Sequence, residues 1–185
     1  MKARGVISLS EGTTLRDGVE SDLRFVDSLR KSEGSALGFI PIAVYESVLG
    51  RKSVAGRDRY RYSRMLITED NSDLTGFCYV SYSGEYASIV QIVVRADARR
   101  WHRALMMSDE VERDCLRMGK RGIKCRVAYD LESNFFWRAI GYIPVRQVTS
   151  TWLNQKESKS KRPLWLYKKP LGNDLFRGRE VEGLT

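Results

Sequence analysis

Ser88-Ile89-Val90-Gln91-Ile92-Val93-Val94, then Asp97-Ala98-Arg99-Arg100-Trp101-His102-Arg103-Ala104, a long amphipathic stretch, Gly122 to Asp130, and Ser133-Asn134-Phe135-Phe136-Trp137-Arg138-Ala139-Ile140-Gly141-Tyr142: this order decides the fold. The first run is apolar and β-branched, as a buried strand requires, and Trp101, Ala104, Leu105, Val111, Cys115 and Met118 recur at helical spacing over Arg99 to Met118. Gly119 closes that helix, and Ile123 to Tyr129 alternates as the next strand. A right-handed crossover makes the two strands parallel. The unit is strand, anion-facing turn, helix, strand, short helix. Backbone N–H groups at the start of the first helix lack intrahelical acceptors and lie at the positive end of its dipole, so a phosphate-bearing donor is expected there.

The chain of 185 residues suits one domain over residues 1–171 with a surface tail over 172–185, and its 42% hydrophobic content is ordinary for a globular protein. No apolar run approaches the roughly 20 residues of a membrane span, and Met1-Lys2-Ala3-Arg4-Gly5 lacks the apolar core of a signal peptide, so a cytoplasmic location and no membrane partner are expected. Cys78, Cys115 and Cys125 form no CxxC pair and read as reduced, buried thiols. One histidine and scattered cysteines give no metal-ligand spacing and no Cys-His nucleophile.

The net charge of +9 favours an anionic partner. It is concentrated: Arg51 to Arg64 has six basic residues against one acidic, Arg95 to Arg126 ten against five, and Arg146 to Lys169 seven against one. Localised positive charge is the footprint of nucleic-acid binding, and a solvated basic surface is the alternative.

Outside the central unit, Val6 to Ser10 reads as a short strand, followed by a Gly-Thr-Thr turn into the first helical region. Leu23, Phe25, Val26 and Leu29 predict a helix from Ser21 to Lys31, capped by Ser21 or Asp22, and Pro41 suits the first turn of a second helix ending at Leu49. Tyr62 to Thr68 and Leu74 to Ser81 predict a hairpin across Asp70-Asn71-Ser72-Asp73, and Ser83-Gly84-Glu85 returns the chain to Tyr86 to Val94. Asp130 to Ser133 caps the short helix, and Val145 to Leu153 and Pro163 to Lys168 read as strands joined by the basic loop Asn154 to Arg162.

Val94-x-x-x-x-Arg99-x-x-His102-x-Ala104 resembles the V-x-x-x-x-(R/Q)-x-x-G-x-(G/A) signature of the GNAT acyltransferases, and Asn134 to Tyr142 is similar to their second motif, which closes in Gly-Phe/Tyr. The resemblance implies a mixed α/β fold with a mostly antiparallel sheet of six or seven strands, flanked by helices, around a central parallel pair. It implies an acyl donor whose arm lies against Ile92, Val93 and Val94 and whose phosphates meet Arg99, Arg100, His102, Arg103 and Ala104. Two departures stand out. His102 occupies the usual Gly position, and Trp137 stands where many members carry the tyrosine that protonates the leaving thiolate; indole is no acid at neutral pH. Catalytic candidates are therefore Asp130, Ser133, Asn134 and Tyr142.

Leu23 to Lys31, Leu37-Gly38-Phe39-Ile40-Pro41 and Ala96 to Arg100 resemble the phage-borne, Mom-type branch of the family. That resemblance implies transfer of a carbamoylmethyl-type, glycyl-derived group to the N6 amine of adenine in phage DNA, which blocks restriction enzymes. Adenine N6 is a poor nucleophile, so the base must be extruded, desolvated and positioned. Double-stranded DNA is then the acceptor, and acetyl-CoA or another acyl donor, aminoacyl-tRNA among them, is the donor. On the acceptor side we assign Phe39, Tyr45, Arg57, Arg59, Arg61, Trp137 and Lys161; Trp137 with Phe135 and Phe136 reads as core or as a wall for a flipped base. An acetyl-CoA N-acetyltransferase of a protein or small amine, and a non-catalytic nucleic-acid-binding relative, are the alternatives.

Overall fold

The computed structural model describes residues 7–10, 12–34, 36–50, 62–99, 102–149 and 162–172. Strands β1 (Ile7–Ser10), β2 (Thr13–Asp17), β3 (Ser63–Asp70), β4 (Asp73–Ser81), β5 (Tyr86–Val94), β6 (Gly122–Ala128), β7 (Ile143–Thr149) and β8 (Pro163–Pro170) form one sheet in the order β1-β2-β3-β4-β5-β6-β8-β7. Only β5 and β6 are parallel neighbours. Helices α1 (Leu23–Ser32) and α2 (Ile42–Leu49) cover one face; α3 (Arg103–Arg117) and α4 (Ser133–Ala139) cover the other. The mixed, mostly antiparallel α/β class expected from the sequence is the class observed. None of the described helices is long and apolar enough to cross a membrane.

The extra strand is β2, in the segment read as the turn into the first helix. It pairs with β1 and β3, and Leu15 points inward at 2% exposure. Burying such a side chain contributes about 2 kcal/mol, more than local propensity opposes. Arg16 then ties β2 to the turn before α1 through two bonds to Asp22 (2.7 and 2.9 Å) and one to Glu69 (3.0 Å). Asp22, expected as a helix cap, stands at the N-cap of α1 without a side-chain bond to that helix; its buried carboxylate takes Arg16 and the Val19 N–H (2.8 Å).

The β3–β4 hairpin turns on Asn71 and Ser72, with φ of 47° and 71°. Two central residues with positive φ make the turn whose twist matches paired strands. A second feature orients α3. Arg64 of β3 reaches Asp17 (2.5 Å), Glu110 (3.1 Å) and Asp114 (2.5 Å), and Asp114 also accepts from Tyr82 Oη (2.7 Å) and Arg117 (2.6 Å). The helix is thereby held against three strands, with Met107, Val111 and Cys115 packed on Ile123, Cys125 and Val127 of β6. All three cysteines are free and buried, and burial pushes the Cys78 and Cys115 thiols up to about 12.

α3 begins at Arg103, four residues later than the helical spacing predicts. Ala96–Ala98 form a 3₁₀ turn and Arg99 is extended, so the chain approaches the helix through an irregular corner. β7 starts at Ile143, ahead of the expected Val145.

Candidate active site

The parallel pair opens as it rises. β5 and β6 are in register from Tyr86↔Gly122 to Ile89↔Cys125, and beyond that point the two strands no longer pair. β5 carries a bulge there: Tyr79 faces Gln91 and Val80 faces Ile89, leaving Val90 as the extra residue. A bulge bends its strand and raises the local twist, which accounts for the separation. Between the strand ends lies a cavity of about 880 Å³, walled by both strands, the start of α3, the α1–α2 connection and α4.

At the α3 end of this cavity His102 sits at φ 62°, ψ 4°, immediately before the helix. The left-handed conformation is one glycine adopts freely, and histidine is among the side chains enriched there. A glycine preference at this place follows from the backbone as much as from room for a ligand. His102, Arg103, Ala104 and Leu105 line the cavity, and the first helical N–H groups have no acceptor within the helix.

Two of the arginines expected to meet phosphate are occupied. Arg99 lines the cavity but pairs with Glu33 (2.5 Å) and donates to the Val94 carbonyl (3.1 Å). Arg103 is buried, bonded to both oxygens of Asp70 and to the Ala98 carbonyl (2.6 Å). The resemblance puts Arg103 against phosphate, but this clamp ties α3 to the β3–β4 hairpin and engages the guanidinium there. Arg100 lies outside the described residues. Ile92, Val93, Val94 and Ala104 do line the cavity.

Of the four catalytic candidates, Asp130 and Ser133 line the cavity and Asn134 and Tyr142 do not. Asp130 is exposed and held by Arg162 (2.8 Å), and the Arg162 hydrogen bonds keep its carboxyl below the usual value, which weakens it as a base. Asn134 donates to the Ala128 (2.9 Å) and Leu131 (2.6 Å) carbonyls and accepts from Tyr167 Oη (3.0 Å), so it ties β6 to α4. Tyr142 is buried, edge-on to Trp137 at 4.8 Å, and burial raises its phenol far above the ordinary value. It cannot serve as an accessible acid.

Of the residues assigned to the acceptor side, Phe39 is exposed. Tyr45 is not: it is fully buried, its hydroxyl 2.5 Å from Gln91 Oε1, because two aromatic neighbours, Phe77 and Tyr79, and the α1–α2 core enclose it. Trp137 is a buried core residue that forms part of the cavity wall; the exposed ring on α4 is Phe135. Arg57, Arg59, Arg61 and Lys161 lie outside the described residues. Three residues that line the cavity were missed. Gln91 donates from Nε2 to the Gly38 carbonyl (2.8 Å) and so fixes the α1–α2 connection at the opening. A lone amide inside an apolar central strand was its signal. Glu33 and Glu132 add carboxylates, and Glu132 has no ion-pair partner among the described residues. Nothing in their helical surroundings marked them.

No protein-family model matches this sequence, and no curated protein matches it. Solved structures do. NAA60 of Arabidopsis thaliana in complex with a bisubstrate analogue is similar at a TM-score of 0.69 and 14% identity, over 85% of this chain and 97% of that one. The ribosomal-protein-S18-alanine N-acetyltransferase of Escherichia coli is similar at 0.66 and 12%, over 89% and 99%. A spermidine N-acetyltransferase variant of Vibrio cholerae is similar at 0.65 and 14%, over 87% and 95%. The chain therefore has the fold of the GNAT acetyltransferases.

Proposed function

We propose that the protein is an acyl-coenzyme A-dependent N-acyltransferase acting on an amine. The observation that carries this reading is the opened β5–β6 pair, whose cavity runs to the unpaired N–H groups at the start of α3. A long arm with a pyrophosphate fits that shape. Val90 to Val94 would flank the arm with strand backbone freed from pairing, and the amides of Arg103, Ala104 and Leu105 would hold the phosphates. Because Arg99 and Arg103 are committed to carboxylates, backbone amides carry the anion here, in place of free guanidinium groups. When bound, the thioester supplies the activated acyl carbon. The chain's own residues then position the acceptor: Gln91 holds Gly38 at the opening, and Glu132 is the cavity carboxylate placed to accept the amine proton, through water.

Calorimetric titration with acetyl-CoA tests the site, with Ala104→Glu as the probe. An acid in the first turn favours the helix itself but repels phosphate, so the fold should persist while acetyl-CoA affinity falls at least tenfold. Equal affinity in the variant would sink the assignment.

The concentrated charge of the chain favours a second acceptor, the N6 amine of adenine in DNA, with aminoacyl-tRNA as a further donor to be tried. Mass spectrometry of nucleosides from plasmid DNA after expression decides between acceptors: a new adenine adduct supports the DNA reading, and unmodified adenine with acetylated protein or polyamine supports the general amine.

A further inference from the structure

We propose that the open face of β6, β8 and β7 is a docking surface for duplex DNA. Ile123, Cys125 and Val127 of β6 and Tyr167 of β8 point into the α3–α4 core. Alternation along the strands turns Lys124, Arg126, Leu164, Leu166 and Lys168 to the opposite face, and register adds Arg146 and Val148 of β7. The core beneath α1 and α2 takes residues from β3, β4 and β5 but none from these three strands, so no described helix covers them.

The cations on this face are grouped. Lys124 lies directly opposite Lys168, and Arg126 and Arg146 stand on either side of Leu166. Like charges directly opposite across strands destabilise a sheet, and β6, β7 and β8 contain no Asp or Glu to offset them. None of the four has an ion-pair partner among the described residues, whereas every arginine of α3 holds a carboxylate. Lys168 rests its ammonium 4.8 Å above the Tyr86 ring.

An extended polyanion matches this arrangement better than a small ligand does. Lys124 and Arg126 are spaced about 6.8 Å along one strand, and Arg126 and Arg146 about 9.6 Å across two. Unpaired bases need free aromatic platforms, and among the described residues the ring beside this face, Tyr86 of β5, is already taken by Lys168, which favours a duplex held by its backbone. Arg126 and Val90 also line the cavity, so the surface leads to the opening. That it delivers a base amine there rests on the transferase reading; the binding itself does not.

The test is titration of a 20-base-pair duplex at several salt concentrations. Lys124→Gln, Arg146→Gln and Lys168→Gln together should reduce the slope of log affinity against log salt by about two to three, since each phosphate contact releases close to one counterion. The same charge loss elsewhere, Arg24→Gln, Lys31→Gln and Arg113→Gln, should change it by less than about one. The melting temperature of the first triple should hold or rise, because repulsion is removed; the double variant Lys124→Gln, Arg146→Gln keeps the Tyr86 stack and should lose about two. Equal slopes in both triples, no salt-dependent duplex binding by the unaltered protein, or preference for single strands, duplex RNA or polyglutamate would overturn the proposal. Acetyl-CoA titration of the same samples separates the readings: duplex binding without acetyl-CoA binding removes the coenzyme A-dependent transferase and leaves the surface standing.

Discussion

His102 shows how a single backbone angle links a sequence signature to a site. Its φ of 62° is accessible to histidine at a cost of about 1 kcal/mol relative to glycine, and the residue bounds the cavity where the α3 amides begin. His102→Gly should therefore raise stability by about 0.5–1 kcal/mol in urea unfolding, with the flexibility of glycine in the unfolded chain as the opposing effect. Acetyl-CoA affinity should stay level or rise. A stable variant that has lost all binding would instead give the imidazole a part in holding the donor. Tyr142 makes the contrasting case: its hydroxyl lies 3.4 Å from Ser108 Oγ in the core, and that burial removes it from proton transfer.

At the scale of elements, the join between α3 and the β3–β4 hairpin depends on Arg103. Its guanidinium bridges Asp70 and the Ala98 carbonyl, so it fixes both the helix start and the turn that precedes it. Arg103→Ala should cost about 2 kcal/mol in chemical unfolding, as the partly buried Asp70 carboxylate loses its cation and keeps Thr13 Oγ1 (2.8 Å) as a donor. Acetyl-CoA binding should weaken as well, because the amides of α3 lose their anchor. The measurement that checks this is a pair of curves, urea unfolding and ligand titration, on the same preparation. Arg103→Lys, which keeps the charge but not the fork, should recover only part of either. Unaltered stability would mean that the clamp is not formed in solution.

For the whole molecule, the Arg64 cluster joins β2, β3, α3 and Tyr82 just after β4, and its acid sensitivity follows from Asp114. Burial alone would raise that carboxyl, but hydrogen bonds from Arg117 and Tyr82 and the charge of Arg64 prevail and hold it below its ordinary 3.8. A carboxylate depressed in the folded state contributes stability that is complete above its unfolded value and is lost as pH falls through the folded one. The urea midpoint should accordingly be level from about pH 7 to 5 and drop below about pH 4. Asp114→Asn should lower the midpoint at neutral pH and flatten this acid limb; a limb of unchanged steepness would assign the loss to other carboxylates, such as Asp27 or Asp73.

The alternation of Ser88 to Val94, the helical spacing that follows and the Asn71-Ser72 turn are local signals, and the order strand, helix, strand with its parallel pair was legible from them. So was a helix start after β5 with amides lacking intrahelical acceptors, since every helix start exposes them whatever the tertiary context. Leu15 was not legible as a strand residue, because five residues with weak alternation become a strand only when β1 and β3 pair with them. Arg103 and Arg99 looked free in one dimension; the carboxylates that occupy them, Asp70 and Glu33, lie 33 and 66 positions away in the chain. Tyr45 and Tyr142 have chemistry that suits a site, and burial decided otherwise; Asn134 is occupied by its bonds to Ala128, Leu131 and Tyr167. The unpaired cations of β6, β8 and β7 were visible only as net charge. Their alignment on one face depends on β8 entering between β6 and β7, a pairing set by long-range contacts and packing that no local pattern encodes.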